Sequence, residues 1–402
     1  MIMNSKNVLR RDFLRKSSLA AAGVAAVPLV GGASGRATGK AKPAGDTHIL
    51  LLGDIHFDLP GDHNMEWVDE NNYTHEVNSY CASTAKSFKP LMATLKKQSL
   101  SANPPVQAVI QVGDFLEGLA GSPEMAGQMT RHLFEALDEA AIPAPWIIAQ
   151  GNHELTGPGS KKAWLEQAVP YLQKTLDPSI DSMNYSYHVG NAHIVVLDPF
   201  NDQDGFVDFL AAELEASTAR YKFVVVHEPV IPVSCLCWHP LMRTEDFEPA
   251  RQRLLEVIAR HRAIVLCGHI HKYSVLRRMT PYGSIVQVMA YSVLRDDNPK
   301  PPYPRETTYG PSLKAGREWR PETLDDRLAM LTEEAKHVTD FFTSDVAGYG
   351  MLTVGNGEED KIELRYYAEL GTEPYETIDL AALLEAGKVS RGRPSDGIQG
   401  GF

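Results

Sequence analysis

Six short apolar runs constrain this chain most, because each is rich in Val, Ile and Leu and is set off by Gly or charge. They are THILLLGD (47–54), VQAVIQVGD (106–114), APWIIAQGN (144–152), AHIVVLD (192–198), YKFVVVH (221–227) and AIVLCGH (263–269). Runs of this length and composition are strands buried on both faces. Helical periodicity falls between them, near 79–99, 123–141, 160–176, 205–218 and 246–261. Strand–helix alternation predicts an α/β fold with a mainly parallel sheet. Shorter strands near 272–278 and 284–289 predict that the last part turns antiparallel. Beyond them the pattern predicts a helix at 322–341 and a hairpin over 346–370, GYGMLTV and KIELRYYAEL around NGEED.

Nearly every run stops at a side chain able to bind a metal. The first ends in GDIH (Asp54, His56), the second in GD (Asp114) and the third in GNHE (Asn152, His153, Glu154). The run at 221 ends in His227, and the run at 263 in GHIH (His269, His271). In open α/β sheets ligands bind beyond the carboxyl ends of the strands, so five distant segments would meet at one edge. The glycines at 53, 113, 151 and 268 read as tight turns where the chain leaves the sheet. If strand geometry persists past Gly268, His269 and His271 share one face and Ile270 takes the other.

Any one of these motifs is weak, and D-x-H alone is ordinarily a capped turn. Their order along the chain carries the reading. Two carboxylates, an amide oxygen and several imidazoles suit Zn, Fe, Mn or Co, whereas Ca and Mg prefer mostly oxygen donors. There are too many candidate ligands for one ion. Two ions sharing a carboxylate would use them economically, and such pairs clamp in-line displacement at phosphorus.

In this order the motifs resemble the calcineurin-like metallophosphoesterases, whose pattern is D-x-H, GD, GNH(E/D), a His, then GHxH. Here it reads GDIH, VGDF, GNHE, VVHEP and GHIH, and the resemblance covers roughly 47–290. It implies a four-layer α-β-β-α sandwich of two mixed β-sheets. It implies that Asp54, His56, Asp114 and His271 hold one ion, that Asp114 bridges, and that Asn152, His227 and His269 hold the other. His153 would face the substrate, oriented by Glu154 or a nearby acid. The implied cofactors are two transition-metal ions (Mn, Fe or Zn), and the implied reaction is hydrolysis of phosphate mono- or diesters by a hydroxide shared between them. The second motif, GDFLEG, lacks both the arginine of protein Ser/Thr phosphatases and the tyrosine of purple acid phosphatases, which argues against those branches. Competing readings are a non-hydrolytic metal or phosphate-ligand-binding protein, or a nuclease of the same fold.

Residues 1–37 differ from the rest. A basic front (Lys6, Arg10, Arg11, Arg15, Lys16) leads into an Ala-rich apolar run from Leu19 to Val30, then small residues. This is the layout of a secretory signal, too short to span a bilayer. Arg10 and Arg11 followed by Phe13 and Leu14 resemble a twin-arginine signal, so the expected partner is the twin-arginine translocase. Cleavage between Gly32 and Lys42 would leave a periplasmic or secreted protein with no stable membrane insertion. Without residues 1–37 the chain keeps 33 Lys and Arg against 50 Asp and Glu, a net charge of −17. That surface argues for a small phosphate ester as the substrate rather than nucleic acid.

The remaining organisation reads as a linker at 38–46, a catalytic domain at 47–375 (core 47–290, extension 291–375) and a flexible tail at 376–402. The spacing of Cys81, Cys235, Cys237 and Cys267 suggests no disulfide and no zinc ribbon. Two segments are candidates to touch substrate: 57–77, with His63, Trp67 and His75, and 228–240, with Trp238 and His239. Tyr273 and Tyr291 read as structural.

Overall fold

The computed structural model describes residues 45–200, 205–237, 244–313 and 315–385, so the signal segment, Trp238, His239 and the end of the tail lie outside the described residues. In chain order the strands begin with β1 (Thr47–Leu52), β2 (Ala108–Gln111), β3 (Trp146–Ile148), β4 (Tyr185–Val189), β5 (Ala192–Val196), β6 (Tyr221–Val225) and β7 (Ile264–Cys267). They continue with β8 (Tyr273–Thr280), β9 (Gly283–Met289), β10 (Arg305–Glu306), β11 (Val338–Ser344), β12 (Gly348–Val354), β13 (Ile362–Ala368) and β14 (Glu376–Asp379). The helices are α1 (Met65–Glu70), α2 (Thr74–Ser101), α3 (Pro123–Ala140), α4 (Ser160–Thr175), α5 (Phe206–Ala216), α6 (Thr244–Arg260), α7 (Leu324–Glu334) and α8 (Leu380–Leu384).

Two mixed sheets result, in the orders β14-β13-β12-β1-β2-β3 and β10-β11-β8-β9-β7-β6-β5-β4. The parallel runs are β1-β2-β3 in the first and β5-β6-β7-β9 in the second. Strand alternation divides the second sheet between two cores. Phe223, Val225, Ile264 and Leu266 pack with the first sheet, whereas Val224, Val226, Val265 and Cys267 pack with Leu210 of α5, Leu254 and Ile258 of α6 and Leu331 of α7. Leu91 and Leu95 of α2, Leu133 of α3 and Trp164 of α4 close over the first sheet. Helices, sheet, sheet, helices is the four-layer sandwich expected.

Three expectations change. The division at 290 is not structural: β12 pairs antiparallel with β1 along its length, from Thr47↔Val354 to Leu51↔Gly350, so the supposed extension supplies the centre of the first sheet. The helix expected at 322–341 stops at Glu334, because the β-branched and aromatic VTDFFTS forms β11 against β8. The expected flexible tail begins too early. Residues 376–379 form β14, and α8 follows, with Asp379 as its N-cap and the Leu384 carbonyl accepting from Ser284 Oγ at 2.7 Å.

A buried charge cluster ties the outer helices to the second sheet. Glu334 of α7 accepts from Arg251 of α6 on one oxygen and from Arg278 of β8 on the other. Burial pushes the Glu334 carboxyl up, but the two guanidiniums outweigh it and hold the pKa below the usual range. A carboxylate with a depressed folded pKa stabilises above its unfolded pKa of about 4.3 and loses that stability as pH falls through the folded value. Glu334→Gln should therefore cost about 3 kcal/mol at pH 7. The variant should also lack this component of the wild-type stability loss below pH 4.3. Denaturant unfolding at pH 7 and pH 3.5 measures both, and equal stability of variant and wild type at pH 7 contradicts the assignment.

Candidate metal centre

The expected ligands come from both sheets, not from one edge. Loops after β1, β2 and β3 carry Asp54, His56, Asp114 and Asn152, and loops after β6 and β7 carry His227, His269 and His271. The first two loops are laced together: Ile55 and His56 donate their N–H groups to Asp114 O at 3.0 Å, and Phe57 N–H reaches Phe115 O at 2.8 Å. The sheets meet closely here. Gly53 donates to Ser292 Oγ at 3.0 Å, and a Cβ on Gly53 would lie 2.2 Å from Ala290 O. Cβ atoms on Gly151 and Gly268 would meet Asp114 Oδ1 at 2.2 Å and Asp54 Oδ2 at 2.6 Å. Close approach, more than turn conformation, keeps these positions glycine.

Two sets of donor atoms converge. Asp54, His56, Asp114 and His271 each bring an atom within 4.8 Å of the others, and Asp114, His227 and His269 do the same. Asp114 belongs to both. Its Oδ2 lies 3.0 Å from His227 Nε2 and 3.9 Å from His56 Nε2. Asn152 Oδ1 stands 3.2 Å from His227 Nε2, which adds an amide oxygen to the second set. His56 Nε2 and His271 Nε2 face each other at 2.9 Å.

Three imidazoles are held by their far nitrogens. His227 Nδ1 donates to Val112 O at 3.0 Å, His56 Nδ1 meets Glu117 Oε2 at 2.5 Å, and His153 Nδ1 donates to Glu117 O at 2.7 Å. A carbonyl can only accept, so Nε2 of His227 and of His153 is the nitrogen turned toward the site. Anchoring one ring nitrogen so that the other is presented is the usual support of a metal-ligating histidine. Asp54 Oδ2 is buried and finds no hydrogen-bond partner among the described residues, while Oδ1 accepts from His269 N–H at 2.7 Å. Carboxylates, an amide oxygen and presented imidazoles fit borderline transition-metal ions.

The electrostatics agree. Burial pushes the Asp54 carboxyl up to about 7. Burial acts on Asp114 in the same direction, but the charges of His227 and His153 outweigh it and hold Asp114 well below the usual range. Burial keeps His56 well below an ordinary imidazole and lowers His271 to about 3, so both are in the neutral form that ligates metal. His227 is raised to about 10, because Asp114 and Asp54 overcome its burial. A cation between His227 and Asp114 would replace that proton.

The backbone is strained where the expected ligands sit. His56, Asp114, His269 and His271 have φ of 52°, 51°, 76° and 53°, in the left-handed region that side chains other than glycine rarely adopt. The expected reason for the His269/His271 pairing thus fails: β7 ends at Cys267, and alternation along a strand does not continue. Ile270 is nonetheless buried in the helix-side core.

Glu154 departs from its expected role. Its Oε2 accepts from the N–H groups of Gly151 (2.6 Å) and Asp114 (3.0 Å), and its Oε1 from Phe115 (2.7 Å) and Leu116 (3.1 Å). It braces the Asp114 loop instead of orienting His153. The acid beside His153 is Glu117, whose Oε2 lies 3.4 Å from His153 Nδ1. Its signal was present in GDFLEG, three residues past Asp114.

The segment 57–77 is not an open rim. It folds into α1 and the start of α2 around Val68, Val77, Cys81 and Leu119. His63 is buried, with Nε2 2.6 Å from Asp58 Oδ1 and Nδ1 3.1 Å from Leu119 O, and Cys81 Sγ donates to Asp58 Oδ2. That trio satisfies its own polar atoms and braces the loop after β1. Trp67 stacks on Tyr73, and His75 is exposed. Cys81, Cys235, Cys237 and Cys267 are buried free thiols. Tyr273 stacks on Tyr366 as a structural residue, but Tyr291 stacks on His271 at 5.5 Å and so borders the site.

The calcineurin-like phosphoesterase family profile matches residues 47–273, more than half the chain. No curated protein matches by sequence. In structure the chain is similar to PhoD, with a TM-score of 0.50 and 11% identity over 83% of this chain and 69% of PhoD. It is also similar to purple acid phosphatase PPD1 from yellow lupin (Lupinus luteus) seeds, with a TM-score of 0.48 and 12% identity over 84% of this chain and 54% of that one. At such identity the likeness to PhoD concerns the fold alone. Every motif from GDIH to GHIH falls inside the matched residues, and on that ground the chain belongs to the calcineurin-like phosphoesterase family.

Proposed function

We propose that this protein is an exported hydrolase of small phosphate esters that works with two metal ions sharing Asp114. The observation that carries the reading is the membership of Asp114 in both donor sets. Asp54, His56, Asp114 and His271 would hold one ion, and Asp114, Asn152, His227 and His269 the other. Ions of the Mn, Fe or Zn type would supply Lewis-acid polarisation of the phosphoryl group and a more acidic water.

The chain's own residues do the rest. Asp54, His56, Asp114 and His227 are buried, which keeps bulk water from the ligand atoms. His153 keeps 12% side-chain exposure, enough to meet a substrate. Its Nδ1 is committed to Glu117 O, so Nε2 is the atom that can give a proton to the departing oxygen. Glu117 sits between His56 and His153 and positions both rings. Export rests on residues 1–37. Among the described residues, no helix is long and apolar enough to cross a membrane.

His153→Ala should lower kcat by about 10²–10⁴ with metal content unchanged. Metal analysis beside turnover checks this, and loss of metal with unchanged turnover per bound ion contradicts it. Asp114→Ala should remove metal and activity together, and normal occupancy would sink the bridging assignment. Glu154→Gln should lower thermal stability and metal loading, because it unseats hydrogen bonds to buried N–H groups, each costing about 1–3 kcal/mol. A fall in turnover with stability and metal intact would return Glu154 to catalysis. Turnover of p-nitrophenyl phosphate, bis-p-nitrophenyl phosphate and nucleotides with Mn, Zn and Fe tests the reaction itself. No turnover by a loaded site would favour a binding protein.

A further inference from the structure

The loop after β9 carries one arginine, Arg295, close to residues that pack on the centre. Tyr80 of α2 stacks on His56 with ring centroids 4.5 Å apart, and Tyr291 stacks on His271 at 5.5 Å. Arg295 lies over the Tyr80 ring, 5.7 Å from its centroid, and its side chain also hydrogen-bonds Tyr291. The guanidinium therefore lies beside the two tyrosines that stack on His56 and His271.

Its loop is fixed. Ser87 Oγ donates to Leu294 O at 2.8 Å, Asn298 Nδ2 donates to the Tyr291 hydroxyl at 2.5 Å, and Lys86 pairs with Asp296. Gly53, next to the ligand Asp54, is tied to Ser292 of the same loop. Nearby cations are otherwise engaged: Lys86 with Asp296, and Lys272 with Asp345. Arg295 pairs through Nε with Asp297 at 3.2 Å, but Asp297 is 76% exposed, so water can take over its solvation. Arg295 itself keeps 27% side-chain exposure and His271 24%, so solvent reaches both.

We propose that Arg295 forms an anion subsite next to the His271 side of the centre and makes the enzyme prefer phosphomonoesters to diesters. A monoester near neutral pH carries up to two charges, its second pKa being about 6, whereas a diester carries one. A guanidinium fork pairs with two phosphate oxygens at once, and the terminal phosphate of a monoester offers the additional charged oxygen. The subsite rests on the phosphoesterase reading above and names its substrate class.

The test compares metal-loaded wild type, Arg295→Gln and Arg295→Lys on p-nitrophenyl phosphate and bis-p-nitrophenyl phosphate, with orthophosphate binding measured calorimetrically. Arg295→Gln should raise KM for the monoester and weaken orthophosphate about tenfold or more, the size of a lost charge-assisted hydrogen bond. The diester KM should stay within about twofold, metal content should not change, and Arg295→Lys should recover part of the loss. An equal loss on both esters, no loss on either, or loss of metal would each overturn the subsite. If the wild type hydrolyses neither ester, the phosphoesterase reading fails, and orthophosphate binding still decides the subsite: weakened by Arg295→Gln it stands, unchanged it falls.

Discussion

Asp114 is almost wholly removed from water, yet its carboxylate is held ionised among His227 Nε2 at 3.0 Å, the His153 N–H at 2.8 Å and His56 Nε2 at 3.9 Å. A buried anion is tolerable only where opposite charge and donors surround it. The rest of the site is arranged around that requirement. Glu154 gathers four backbone N–H groups and fixes the loop that carries Asp114. Gly151 must lack a side chain so that the Asp114 carboxylate can lie against it. His227 must be turned by Val112 O, and the loops after β1 and β2 must be laced to each other, or the carboxylate would have no fixed place between the two donor sets.

The strain at His56, Asp114, His269 and His271 follows from the same demand. A left-handed residue other than glycine costs of order 1–3 kcal/mol, and four such residues persist only where the surroundings over-determine them. Here the surroundings are two sheets whose shared core runs through β1, β6 and β7, the strands from which these loops leave. The sandwich is thus more than a scaffold on which ligands happen to sit. It is rigid enough to hold these side chains in conformations the chain would not adopt alone.

Much of this was legible in the sequence. The six apolar runs became strands because buried parallel strands are continuous in hydrophobicity, and the polar residue closing most of them marks where the chain leaves the sheet. Other parts were not legible. β4 escapes the pattern of apolar runs, although Gly190 and Asn191, between Val189 and Ala192, carry a two-residue hairpin signal. Its YSYHV alternates too weakly to stand out from a loop. β12 reads as half of a hairpin, and nothing local says that its other edge pairs with β1 some 300 positions earlier. Adjacency in sequence makes Glu154 the first candidate to orient His153, with a nearby acid as the alternative. In space its side chain turns under the Asp114 loop, and Glu117, remote from His153 in sequence, takes the neighbouring position.

The most direct test of a shared Asp114 is anomalous diffraction from crystals grown with Mn, which locates each ion independently of activity. The geometry predicts two anomalous peaks, one among Asp54, His56 and His271 and one among Asn152, His227 and His269, both contacting the Asp114 carboxylate. A single peak, or a second ion that does not touch Asp114, would contradict it.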